Sequence, residues 1–368
     1  MGHGRLWLLL SERKNFFSSS LLATRLKKGN QSMNWKIALL TGAALFATTS
    51  VQQAFADTFK GAVVYGLGGK FDKSFNEGIA TGVKRFKSEK NEEVIEFEIS
   101  TEAQRSQAIE RAIRGGAQEV IVAGFDMAGA IAEAAKKYPD RKFTIIDTVV
   151  DAPNVRSVIF REEQGSFLVG AIAALTSKTG TIGFVGGMDV PAIRRFACGY
   201  EQGAKYARPD VKVLVNMTGT TFAAFRDPTR ASALAHSQFD TGADVIYAAA
   251  GGSSLGVYQA AKDSRKLAIA VDSNQNFLHP GTILTSMVKR VDEAAYRALN
   301  DELQGSWTAG TVVYGLNEDG VSWALDQYND ALMPQNVRDQ ADALRLKIIS
   351  GDIKVHDYVT TMSCKSAE

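Results

Sequence analysis

From about residue 60 the chain alternates short β-branched apolar runs with longer stretches whose apolar residues recur every three or four positions. The short runs predict strands at 60–66, 94–99, 119–123, 142–147 and 156–160, then at 181–185, 211–217, 244–249, 267–272 and 283–288. The longer stretches predict helices at 76–88, 102–115, 128–138 and 165–177, then at 192–207, 229–241, 255–263 and 292–304. Strands that alternate with helices of this length imply an α/β protein, its parallel sheets covered by helices on both faces. Two successive series imply two lobes of that kind.

Ligands bind such open sheets at the carboxyl ends of the strands. Several predicted strands here run into glycine-rich or polar tips: GLGG at 66–69, GFD at 124–126, GGMD at 186–189, GGSS at 251–254 and DSN at 272–274. Two lobes that point these tips at a common cleft make a clamshell receptor.

Composition sets the compartment and removes some chemistry. The 368 residues carry 42 Lys+Arg against 40 Asp+Glu. Residues 1–56 hold seven of the bases and one acid, which leaves 35 bases against 39 acids and a net charge of −4 for the remainder. A mildly acidic body has no general attraction for phosphate backbones, so nucleic acid is not an expected partner. The segment from Met33 has a positive start at Lys36, an apolar stretch over 37–49 and the small-x-small triplet Ala54-Phe55-Ala56. These are the parts of a secretory signal peptide, with cleavage expected before Asp57 and translation starting at Met33. No Cys follows that site to take a lipid anchor, so a periplasmic protein that does not span the membrane is expected. With Cys198 and Cys364 alone, a thiolate metal cluster is out of reach and a single bridge remains open. Cys198 reads as a small buried side chain on a helix.

Catalytic motifs fail on inspection. The glycines at 66, 68 and 69 lack the third member of G-x-G-x-x-G, since position 71 is Phe71. Gly251 and Gly256 have the spacing of a phosphate-binding loop, but Val257 stands where its lysine belongs. No G-x-S-x-G elbow and no H-E-x-x-H occurs, and His236, His279 and His356 are scattered. No enzyme activity, cofactor or metal is expected.

Several stretches taken together carry a resemblance: FDKSFNEG at 71–78, EQGSFLVGA at 163–171, IGFVGGM at 182–188, GADVI at 242–246, AGG at 250–252, VDSNQ at 271–275 and LTSMVK at 284–289. In this order they resemble the basic membrane protein family of ABC-transporter substrate-binding proteins, over roughly residues 59–310. The resemblance implies the two-lobed type I periplasmic binding protein fold. It also implies capture of a nucleoside-like solute, foremost a purine nucleoside, and delivery to an ABC permease in the inner membrane. A related branch binds riboflavin, and a sensor that hands its closed form to a membrane kinase is a further alternative.

Site residues follow from the same resemblance. Phe75 matches an aromatic that stacks on the base, and Phe225 a second ring from the other lobe, with Phe222 competing for that role. Asp272 matches the carboxylate that takes ribose hydroxyls, Lys289 the cation beside it, and Gly251 or Gly252 a backbone N–H nearby. Asp126 and Asn76 are candidates for the base edge, although Asp126 serves equally well as a helix cap. The expected lobes are 57–162 with 286–309, and 163–285 with 310–368. The hinge crossings are expected near 161–164, 273–286 and 308–311.

Overall fold

The structure, a computed structural model, describes residues 59–367. The leader expected over 1–56, with its start at Met33 and cleavage before Asp57, lies outside the described residues. The first sheet contains β1 (Gly61–Tyr65), β2 (Val94–Glu98), β3 (Glu119–Ala123), β4 (Lys142–Ile146), β5 (Val155–Phe160) and β11 (Gly310–Tyr314), in the order β11-β5-β4-β3-β1-β2. The second contains β6 (Thr181–Met188), β7 (Lys212–Gly219), β8 (Val245–Ala249), β9 (Leu267–Asp272), β10 (Ile283–Lys289) and β12 (Val321–Trp323), in the order β12-β10-β9-β8-β6-β7.

Side-chain alternation along each strand explains the two helical layers. In β1, Val63 and Tyr65 pack with Ile79, Val83 and Phe86 of α1 (Phe75–Lys90) and with Val291 and Leu299 of α8 (Val291–Leu303). The intervening Ala62 and Val64 pack on the opposite face with Ile109 of α2 (Gln104–Arg114) and Ile131 of α3 (Ala128–Lys137). The second lobe repeats the scheme. Phe184 and Tyr247 face Phe167 of α4 (Glu162–Thr176) and Tyr200 of α5 (Pro191–Ala207). Val185 and Ile246 face Ala231 and Ala235 of α6 (Pro228–Asp240) and Val257 of α7 (Ser254–Asp263).

The ten expected strands and eight expected helices all form, and β11, β12, α9 (Gln335–Ser350) and the short α10 (Tyr358–Thr361), which have no sequence signal, join them. Every strand pairing is parallel except one, because β12 returns along β10 and pairs with it antiparallel. The lobe boundaries also differ from those expected. Residues 286–288 stay in register with β9 and Lys289 pairs with β12, so all four belong to the second sheet, whereas Gly310–Tyr314 pairs with β5 in the first. The chain therefore crosses at Arg161, at Arg290 and over residues 315–320. The first crossing matches expectation; the other two lie a few residues further along, because β10 runs on to Lys289 and the unexpected β11 keeps the chain in the first sheet as far as Tyr314.

Helices α4 and α5 meet backbone to backbone. A Cβ added at Gly203 would sit 1.8 Å from the Phe167 carbonyl oxygen, and one at Gly170 would sit 2.1 Å from that of Tyr200. Only glycine permits this approach, which fixes the position of the first turns of α5. The far side of α5 holds the C-terminal tail. Cys198 is bonded to Cys364, 166 residues away, so the free buried thiol expected at Cys198 gives way to a disulfide. Gln202 brackets the backbone of His356 on both sides, at 2.9 and 2.8 Å. The Arg195 guanidinium donates to both oxygens of Asp357, at 2.8 and 3.1 Å.

Candidate functional site

Parallel strands share a direction, so the strand tips of both sheets collect in the cleft between the lobes. The cavity there encloses about 700 Å³, its open mouth included. Its walls include Phe75, Asn76, Asp126, Phe225, Asp272 and Lys289, so the structure brings six of the seven expected site residues together. The seventh, Gly252, sits one position behind the wall; Gly251 lines the cavity in its place.

The aromatic walls come from both lobes. Phe75 opens α1, directly after the 66–74 loop of the first lobe. Phe225 lies against the strand tips of the second lobe, where a Cβ at Gly187 would be 2.3 Å from its ring. Glycine at that position is what lets the ring come so close to the tip of β6. Phe222 also lines the cavity, but its ring centroid is 5.5 Å from that of Phe125 in the opposite lobe, so it stands at one end of the cavity.

The loop before α1 is organised by Asp72, which sequence reasoning did not single out. Its carboxylate accepts from the backbone N–H groups of Ser74, Asn76 and Glu77, at 2.8, 3.0 and 3.1 Å, and so caps the helix. It also accepts from Asn76 Nδ2 at 3.0 Å, while Asn76 Oδ1 accepts from Gly66 N at 2.9 Å. The Asn76 amide is thus largely engaged within the loop. Ser74, relieved of capping, donates its hydroxyl across the cleft to Asp272 Oδ2.

One end of the cavity is ionic. Lys289 is 2% exposed, and its Nζ lies 2.7 Å from Asp147 Oδ2 and 2.9 Å from Glu162 Oε1. The ammonium thus pairs with Asp147 and Glu162, and acts on Asp272 through its charge alone. Asp147 directly follows β4 in the first lobe, and Asp272 ends β9 in the second. Both adopt positive φ, 78° and 68°, a conformation that Asp tolerates better than most residues. Burial pushes the Asp272 carboxyl up to about 6, with Lys289 and the Ser74 hydroxyl opposing the rise and Asp72 adding to it. Burial raises Asp147 as well, again against Lys289. Glu162 is held low despite its burial, because Lys289 and Arg195 both lie against it, with Arg195 Nη1 at 2.9 Å. Burial would lower Lys289, but the surrounding carboxylates raise it and keep it cationic.

The other end is less charged. Arg105 holds Asp126 Oδ2 through Nε at 3.0 Å and Nη2 at 2.8 Å, and burial raises the Asp126 carboxyl against that pairing. Asp126 therefore faces the cavity as a paired carboxylate and caps no helix through its side chain.

Residues 60–358 match the sequence profile of the Bmp family, ABC transporter substrate-binding protein PnrA-like. The chain belongs to that family. A CD4+ T-cell-stimulating antigen of Listeria monocytogenes is 32% identical over 320 residues, covering 81% of this chain and 88% of that protein. Basic membrane protein A of Borreliella afzelii is 32% identical over 292 residues, covering 77% and 87%. Among solved structures, an ABC transporter system solute-binding protein from Aeropyrum pernix K1 superposes with a TM-score of 0.74 at 28% identity, covering 81% of this chain and 93% of that one. This Bmp-family chain is thus an ABC-transporter substrate-binding protein with the type I two-lobed fold. No helix among the described residues is long and apolar enough to cross a membrane. Among those residues no group of three or more His, Cys, Asp or Glu is placed to hold a metal ion.

The cavity also has walls that the sequence reading did not pick out: Asp72, Phe125, Asp147, Ile193 and Phe196. Asp147 shares with Asp272 the signal of an acid ending an apolar strand. Ile193 and Phe196 have no such signal, since the packing of α5 on α4 is what delivers them.

Proposed function

We propose that this protein captures a purine nucleoside in the periplasm by lobe closure and passes it to an ABC permease in the inner membrane. One observation carries the reading: Phe75 and Phe225, from opposite lobes, wall the same cavity, together with Asp272 and Lys289. A flat base between the two rings gains stacking of about 1–3 kcal/mol per base by analogy with nucleic-acid binders. The sugar then lies at the Asp272–Lys289 end, where a carboxylate accepts from vicinal hydroxyls. Asp126 meets the far edge of the base, and Gly251 contributes backbone near the sugar. Asn76 acts through the loop it braces. The lobes already touch through Ser74–Asp272, Lys289–Asp147 and the Arg226 Nη1 contact to the Leu67 carbonyl at 3.2 Å, the bonds that closure makes. The Cys198–Cys364 bond suits the oxidising compartment to which the leader directs the chain.

Isothermal titration with adenosine, guanosine and inosine tests the reading. Saturable binding to at least one is expected, with no free base released on prolonged incubation. Failure of all three to bind, or release of free base, would overturn it.

A further inference from the structure

The cavity end that holds Asp126 is closed by a wall with open space behind it. Phe222 lines the cavity on one side, and on the other an outer groove whose remaining walls include Ser100, Thr101, Glu102 and Arg226. The wall is built from both lobes. The Phe222 ring packs on Phe125 with centroids 5.5 Å apart. The Arg105 guanidinium lies 5.3 Å from the Phe222 ring centre while its nitrogens hold Asp126 at 2.8 Å and Glu102 at 3.2 Å. Arg226, four residues after Phe222, bonds the Leu67 carbonyl, and Leu67 lines both spaces.

We propose that the Phe125–Phe222 pair, backed by Arg105, is a partition that determines specificity by limiting the length of the ligand's ring system. This inference rests on the nucleoside reading, since it takes the sugar to lie at the Lys289 end and the base edge to point at Phe125. A two-ring base ends at the partition. A three-ring isoalloxazine, or a purine carrying a bulky group on its six-membered ring, would have to push Phe222 into the outer groove and break its contacts with Phe125 and Arg105. Rejection of this kind works by steric exclusion and leaves the contacts to the favoured ligand untouched. Removing either ring joins the two spaces and gives the longer ligand a channel.

The test compares adenosine, N6-benzyladenosine and riboflavin by isothermal titration on the full protein, then repeats the set on Phe222→Ala and Phe125→Ala. The unmodified protein is expected to prefer adenosine over both longer ligands by at least thirtyfold. In at least one variant that preference should shrink tenfold or more, whatever happens to the affinity for adenosine itself. Adenosine binding with a smaller preference overturns the partition alone, as does a preference that shrinks less than tenfold in both variants. Unmodified protein that takes none of the three ligands, or riboflavin without adenosine, overturns the partition, and it removes the nucleoside reading as well only if guanosine and inosine also fail to bind. Two variants on opposite lobes keep the test open if one fails to fold.

Discussion

Lys289 Nζ, at the end of a second-sheet strand, lies 2.7 Å from Asp147 Oδ2, at the end of a first-sheet strand. The bond spans the lobes at the floor of the cleft, and Glu162 at the first crossing shares the same ammonium. Stripping one partner from such a buried set leaves uncompensated charge, which costs about 3–5 kcal/mol. Lys289→Met should therefore lower the midpoint of urea unfolding strongly, and Asp147→Asn less so because Glu162 still holds the cation. Equal, small shifts in both variants would show that the bond adds little to the fold.

Phe75→Ala and Asp272→Ala act on opposite lobes and on different parts of a nucleoside. Each should weaken binding at least tenfold in titration calorimetry, while circular dichroism shows an intact fold. Asp272 also predicts a pH dependence. With its carboxyl at about 6 in the free protein, ligand hydroxyls meet a protonated partner at lower pH. Affinity should fall roughly tenfold between pH 7 and pH 5, and Asp272→Asn should abolish that slope. A pH-independent affinity would remove Asp272 from the hydroxyl contacts.

Glu163, buried beside Glu162 and Asp357, has its carboxyl pushed up to about 8, by desolvation first and then by those two acids, against Arg195. Its Oε2 has no hydrogen-bond partner. A folded-state value above the unfolded one means the folded chain binds the proton more tightly. The associated stability is complete below the unfolded carboxylate range and is lost as pH rises through about 8. Urea midpoints of the native protein should thus drop between pH 6 and pH 9. Glu163→Gln should drop less, gaining on the native protein at pH 9 relative to pH 6. Parallel curves would show that the group titrates elsewhere.

The C-terminal tail is tied to α5 by the Cys198–Cys364 bond, by Arg195–Asp357 and by Gln202. Reduction, or Cys364→Ser, should destabilise the fold by about 2–5 kcal/mol, as for loss of other native disulfides. Because α5 also carries Ile193 and Phe196 into the cavity, a weaker loss of nucleoside affinity should accompany it. A thermal melt with and without reductant reads the first effect, and titration under the same conditions reads the second.

The sequence was legible wherever one local signal sufficed. The ten β-branched runs and eight amphipathic stretches became the ten strands and eight helices expected, because each buries its own apolar face against a neighbour. Asp126 and Asp272 stood in expected strand tips, whereas Phe75, Phe225 and Lys289 were reached through the family resemblance; all five line the cavity. Strand β11 escaped because it is a short edge strand, with Gly310 and Thr311 exposed, whose partner β5 lies 154 residues earlier. The same non-local pairing shifted two of the crossings. Asp147 went unnoticed although its strand end was predicted, and Phe196 could be placed only by the glycine contacts between α4 and α5.

The bond that ends the tail has a bearing on how the protein must be made. Its second sulfur lies 166 residues after the first and beyond every strand of both sheets, so ring closure waits until both lobes have been synthesised and met an oxidant. Material produced in a reducing cytosol would carry two thiols and a loose terminus against α5.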